Sequence, residues 1–193
     1  MRHAVEYGHT TPTVIVGGME PLTLAYIAGS IDSDGFITIM RSVRTKGIYE
    51  GFTFAPTYYT ARIGFVSTEP MVPTLIRDTL GGSLTSRQPN NPAHKRVHLW
   101  GVTNAAAVVV AGILEPYLRL KQPQAAALMA FGRVTADQWS EIRATQKPPY
   151  RVTPDMQAVR ESFWLDVTHR NAPRNRRVNR EIVGPGDPLE TPQ

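Results

Sequence analysis

Asp32 and Asp34 are the residues whose type and spacing most clearly suggest chemistry. They close a run of apolar and small residues, LAYIAGSIDSDG (24–35), whose middle holds Ala25, Ala28, Gly29 and Ser30. The run reads as a helix, so both carboxylates fall at its C-terminal end. The macrodipole there is already negative and favours a cation. A calcium loop would supply one, but the EF-hand pattern needs Asp or Asn two positions after Asp34, and Phe36 stands there. A helix packed closely on a neighbour accounts for the small residues but not for the acids. Solvated surface acids account for the acids but not for the small residues.

The elements that must hold this motif follow from periodicity. Pro21 suits a first helical turn, where its missing N–H would be unpaired anyway. The helix is expected to run to about Ser33, with Gly35 as its exit. Phe36–Val43 and Tyr58–Phe65 alternate in the period-2 manner of half-buried strands, the second with a basic outer face. Residues 47–55 read as a loop. Glu69–Leu80 spaces Val72, Leu75, Ile76 and Leu80 as a helix, closed by Gly81-Gly82. Ser83–Arg87 and Lys95–Val102 read as strands joined by the turn-rich QPNNPAH. Thr103 or Asn104 caps a helix through Ala106–Leu114. Further helices are expected from Gln122 or Pro123 to about Arg133, over 137–146 and over 154–169. Thr153-Pro154-Asp155 is a good start signal for the last. The fold class is therefore α+β, in the order αββαββα with C-terminal helices. The expected divisions are an N-terminal arm over 1–20, a main domain over 21–134, a helical extension over 135–170 and a basic, Pro/Gly-rich, disordered tail over 171–193.

A length of 193 residues with 41% hydrophobic content suffices for one compact core. There is no cysteine, hence no disulfide framework and no cysteine-based zinc site. No apolar run approaches a membrane span, and residues 1–13 lack the apolar core of a secretory signal. An intracellular protein is expected: cytoplasmic, organellar or phage-encoded, not secreted and not bound to membrane. The net charge is +5, and residues 35–100 alone hold eight basic residues against three acids. The whole excess lies there, which suggests a polyanionic partner such as nucleic acid.

The motif resembles that of the LAGLIDADG homing endonucleases. Ile27-Ala28-Gly29 stands for LAG and Ile31-Asp32-Ser33-Asp34-Gly35 for IDADG. A later family segment, a proline and an aromatic before a lysine-glutamine pair that opens a helix, is similar to Pro116, Tyr117, Lys121 and Gln122. The element order is also the family's. The likeness covers about residues 21–134.

The resemblance implies a site-specific double-strand DNA endonuclease using Mg²⁺, with Mn²⁺ as a substitute. Asp34 would be the metal ligand and the Ser33 carbonyl an accessory one. Lys121 would stabilise developing charge, and Ser67, just after the second strand, would organise water. Asp32 would be a structural acid at the helix end. One motif implies a homodimer on a near-palindromic target, since residues 135–193 are too short for a second domain. The motif helices would meet through Ala25, Ala28 and Gly29, with Asp32 at the end of the contact.

The same resemblance gives target reading to the sheet. Alternation from Asp34 places Thr38, Met40, Ser42 and Arg44 on the DNA face, then Tyr58, Thr60 and Arg62. The later strands add Ser83, Thr85 and Arg87, then Arg96 and His98. Ile37, Ile39, Tyr59, Ile63, Phe65, Val97 and Leu99 should face the core. Two alternatives use the same surface: a maturase that binds intron RNA, and a DNA-binding protein without cleavage.

Overall fold

A computed structural model describes residues 19–43, 47–49, 52–54, 57–91, 93–147 and 151–172. The arm over 1–18, the tail beyond 172 and Arg44 lie outside the described residues. Helix α1 (Pro21–Asp34) leads directly into strand β1 (Gly35–Val43). A short hairpin, β2 (Gly47–Tyr49) and β3 (Phe52–Phe54), occupies the stretch expected as a loop. Then come β4 (Thr57–Ser67), α2 (Met71–Leu80), β5 (Ser83–Arg87), β6 (Val97–Thr103) and α3 (Asn104–Leu114). A 3₁₀ turn (Glu115–Tyr117) precedes α4 (Gln122–Thr145) and α5 (Pro154–Asn171).

The main sheet has the order β1-β4-β6-β5 with every neighbour antiparallel. Ile37 and Ile39 of β1, Ala61, Ile63 and Phe65 of β4, and Trp100 and Val102 of β6 are buried on one face. They form one core with Ile27 and Ile31 of α1, Ile76 and Leu80 of α2, Val110 and Leu114 of α3, and Leu128 of α4. Each fully buried Ile or Leu contributes about 1.5–3 kcal/mol relative to exposure. Apart from Gly64, the alternate face of the main sheet carries half-buried and exposed residues instead.

Trp100 is completely buried, and its indole N–H donates to the Gly81 carbonyl at 2.8 Å. Gly81 and Gly82 have φ of 73° and 90°, so the turn from α2 into β5 uses the left-handed region. Trp100→Phe is expected to lower stability by about 1–3 kcal/mol, because the Gly81 carbonyl loses its donor and the smaller ring leaves a gap. A denaturant midpoint unchanged from wild type would show that neither contact matters.

One C-terminal expectation changes. Helix α4 runs unbroken past the end expected near Arg133 and takes in the helix expected over 137–146. Thr135 instead donates its hydroxyl to the Phe131 carbonyl, within the helix, at 2.8 Å. Helix α5 then packs on α4 and β1, and its Val167 belongs to the main core. Asn171 donates to the Ile37 carbonyl at 2.9 Å, and Gln157 donates to the Thr57 carbonyl at 3.0 Å. Arg41 pairs with Glu161 of α5 at 3.2 Å and lies 5.3 Å from the Trp164 ring centroid. One cation of the basic span is thus neutralised within the fold, as is Arg77 by Asp78 at 2.6 Å.

Candidate active site and nucleic-acid face

The end of α1 is built by two crossing elements. Residues 118–121 leave the 3₁₀ turn, with Leu118 buried, and wrap over the last turn of α1 before α4 begins. Asp32 is 9% exposed, and its carboxylate accepts three backbone N–H groups. These come from Arg119 at 2.6 Å, Leu120 at 3.1 Å and Lys121 at 2.9 Å. They lie at the N-terminus of α4, where unpaired N–H groups and a positive dipole end attract anions. The acid at the negative end of α1 is therefore also the acid at the positive end of α4.

Lys121 completes the exchange. Its ammonium donates to the Ile31 carbonyl at 2.8 Å and to the Asp32 carbonyl. Both carbonyls belong to the last turn of α1, so the lysine supplies the cation that a helix C-terminus favours. Burial pushes the Lys121 pKa below the ordinary lysine value, and the nearby Asp32 and Asp34 carboxylates oppose that shift. An ammonium has three donors, so two are committed to α1.

Asp34 is the last residue of α1 and is exposed. Its Oδ2 accepts from the Ser33 hydroxyl at 3.2 Å, and that hydroxyl also reaches the Ser30 carbonyl at 3.0 Å. Among the described residues no three His, Asp or Glu side chains converge as a metal site. One protomer thus offers a single exposed carboxylate with carbonyl oxygens near it. That donor set is hard and all-oxygen, which suits Mg²⁺, Mn²⁺ or Ca²⁺ rather than zinc.

Helix α1 has two faces. Leu24, Ile27, Ala28, Ile31 and Asp32 are buried within the protomer. Leu22, Ala25, Tyr26, Gly29, Ser33 and Asp34 lie on the other side and are exposed. Leu22 is 76% exposed and Tyr26 50%. Of the four contact residues expected from sequence, Ala25 and Gly29 are on the open face. Ala28 and Asp32 are not: the 3.6-residue period turns them into the protomer core. Leu22 and Tyr26 share that open face, each three residues before Ala25 and Gly29 respectively, and this helical spacing was the available signal.

The outer sheet face is also largely as expected. Register pairs Thr38 with Arg62, Met40 with Thr60 and Ser42 with Tyr58, so these share one side. Ser83, Thr85 and Arg87 are exposed on β5. A groove of about 300 Å³ lies on this face, lined by Met40, Arg62, Thr85 and Leu99 among others. Strand β6 is opposite to expectation. Trp100 and Val102 are the buried pair, which turns Val97 and Leu99 outward and His98 inward. His98 Nδ1 lies 2.8 Å from the Ser86 hydroxyl. Both parities of HLWGV hold an apolar residue, Leu99 in one and Trp100 and Val102 in the other, and the large indole decides between them. Arg96 precedes the strand and is exposed.

Ser67 ends β4 on the parity of the buried Ile63 and Phe65. Its hydroxyl accepts the Glu69 N–H at 3.0 Å, closing a local turn. Phe36, absent from the expected face, belongs to it by the same alternation as Thr38 and Met40.

No family model and no curated protein sequence matches the chain. Solved structures do. The homing endonuclease I-CvuI, complexed with DNA in the presence of magnesium and there leaving it uncleaved, shares 17% identity and a TM-score of 0.57, over 82% of this chain and 91% of its own. The archaeal intron-encoded homing endonuclease I-Vdi141I, complexed with DNA, shares 11% identity and a TM-score of 0.58, over 80% and 87%. The LAGLIDADG homing endonuclease I-GzeII, in complex with its DNA target, shares 9% identity and a TM-score of 0.52, over 88% of this chain and 53% of its own. The chain has the LAGLIDADG homing-endonuclease fold.

Proposed function

We propose that this protein is a site-specific, divalent-metal-dependent DNA endonuclease that works as a homodimer. The observation that carries the reading is the open face of α1, which ends on Asp34. Gly29 lies mid-helix, where glycine costs about 1 kcal/mol relative to alanine. A Cβ there would meet nothing within 4 Å in the protomer. The protomer therefore gives no packing reason for the glycine, and a closely approaching second helix does. A two-fold axis along this face would bring two Asp34 carboxylates together and complete the half-site.

Mg²⁺ held by Asp34 and its symmetry mate, with the Ser33 carbonyls, would supply an activated water and neutralise charge on the scissile phosphate. Lys121 holds a positive charge beside that point, its remaining donor directed by its two bonds to α1. The outer sheet face would lie in the major groove, which admits such a surface and presents a distinct pattern for each base pair. Three of its cations (Arg62, Arg87 and Arg96) take part in none of the ion pairs among the described residues.

The direct test is selection of cleaved products from a randomised double-stranded DNA library with Mg²⁺, beside a Ca²⁺ control. Discrete cutting at a near-palindrome is the expected result. Sequence-selective binding without cutting in Mg²⁺ or Mn²⁺ would reduce the protein to a binder. Binding of structured intron RNA in preference to DNA would identify a maturase instead.

The dimer has its own test. Gly29→Leu fills open space in the protomer and improves helix propensity, so protomer folding should tolerate it. The dimer should weaken at least about tenfold, since the inserted side chain forces the two backbones apart. Sedimentation equilibrium reads this directly, and a Gly29→Leu dimer as tight as wild type would move the interface elsewhere.

A further inference from the structure

Arg62 lies on β4, a central strand, opposite Thr38 of β1. The ion pairs among the described residues occupy Arg41, Arg77 and Arg170, and Arg62 is in none. Its guanidinium carbon is 5.2 Å from the Phe36 ring centroid, and its Nη1 lies 3.4 Å from Met40 Sδ. The Phe36 ring lies where a side chain at position 64 would stand: a Cβ on Gly64 would come within 2.3 Å of Phe36 Cζ. Register places Phe36 directly opposite Gly64, two residues from Arg62. The missing side chain lets the ring lie flat across β4, and the ring holds the guanidinium.

This arrangement restrains a long side chain while engaging only its Nη1, and that with a weak acceptor. A ring face attracts the cation and leaves the planar N–H fork free at its edge. A thioether sulfur is a weak acceptor. The free fork matches one base well. Guanine presents O6 and N7 as paired acceptors in the major groove, whereas adenine offers N7 beside a donor.

We infer that Arg62 reads a guanine of the target through O6 and N7, and that Phe36, lying over Gly64, is its positioning residue. The inference rests on the DNA-binding reading above. Thr38, the partner of Arg62, is four residues along β1 from Asp34, or about 13 Å at the usual rise per residue. At about 3.4 Å per base pair, the guanine lies roughly four base pairs from the scissile phosphate. In a two-fold dimer it recurs in both half-sites.

The test is target selection from a randomised duplex library in Ca²⁺ with wild type, Arg62→Gln, Phe36→Leu and Phe36→Tyr. Wild type should select guanine at one symmetric pair of positions near the centre. Arg62→Gln should lose that preference by roughly 10- to 100-fold and keep the others. Phe36→Leu should lose part of it, and Phe36→Tyr, which keeps the ring, should retain it. Replacing that guanine with 7-deazaguanine should weaken wild type and leave Arg62→Gln unaffected. If Arg62→Gln weakens all sequences equally and lowers the salt slope by about 1, Arg62 contacts a phosphate and the inference fails while the DNA-binding reading stands. If Phe36→Leu keeps the full preference, Phe36 does not position the arginine. If wild type selects no sequence at all, both readings fall together.

Discussion

Asp34→Asn is expected to lower the DNA cleavage rate by roughly 10²–10³-fold or more, while leaving folding and sequence-selective binding in place. The side chain is exposed at the end of α1, and among the described residues its hydrogen bond is to the neighbouring Ser33 hydroxyl. An amide of the same shape keeps that contact, so stability should stay within about 0.5 kcal/mol of wild type. What the amide lacks is the charge that, under the proposed function, would hold a divalent ion. In a homodimer the loss is doubled, because both copies carry the substitution. Thermal unfolding, binding in Ca²⁺ and cleavage in Mg²⁺ should therefore separate cleanly. Cleavage by Asp34→Asn within tenfold of wild type would take this residue out of the metal site. Parallel loss of binding and cleavage would make its role structural.

Asp32→Ala should have the opposite signature. This carboxylate is buried and accepts N–H groups from Arg119, Leu120 and Lys121. Truncation leaves three donors without a partner at the start of α4. It also removes a negative charge beside the Lys121 ammonium. We expect a loss of about 3–5 kcal/mol, as for breaking one side of a buried charged network. For a chain of this size that corresponds to a melting temperature lower by roughly 6–20 °C. Cleavage, measured well below the new midpoint, should fall less than for Asp34→Asn. Asp32→Asn keeps one acceptor oxygen and should fall between wild type and alanine. A melting temperature within about 2 °C of wild type would show that the N–H groups find other partners and that Asp32 does not join the two helices.

The two aspartates look alike in sequence and differ by position on one helical turn. Asp34 follows the helix to its open end, whereas Asp32 is rotated inward onto the α4 start. Their different fates also resolve the apparent conflict with the α1 dipole. Lys121 gives that helix end its cation, and the N-terminus of α4 gives Asp32 its donors. No short-range rule contains this, because residues 32 and 121 meet only when the chain folds.

Much of the rest was legible early. The period-2 alternation of β1 and β4 placed Thr38, Met40, Thr60 and Arg62 on one face and Ile37, Ile39 and Ile63 on the other. Local pattern sufficed because one parity in each strand is plainly polar. It failed on β6, where His98, Leu99, Trp100 and Val102 offer apolar residues in both parities. There the volume of Trp100, its bond to Gly81 and the register with β4 and β5 decide. The uninterrupted α4 is a similar case. Gly132 and the Val-Thr pair after it weaken local propensity, yet packing on α3 and α5 carries the helix through.

The sequence by itself determined the order of the main sheet strands and of the helices between them, the helix that ends in Asp34, the basic stretch and the identity of a lysine-glutamine helix start, but not the short β2–β3 hairpin. These depend on spacing, turn residues and charge, all of which act over a few positions. Tertiary structure alone decided which small residues of α1 stay open, which aspartate is buried and where Lys121 donates. It also decided that Phe36 shares a face with Arg62 over an absent side chain at Gly64. Each of these is a contact between elements distant in sequence, fixed by helix rotation and strand register, and neither quantity is encoded in any one segment.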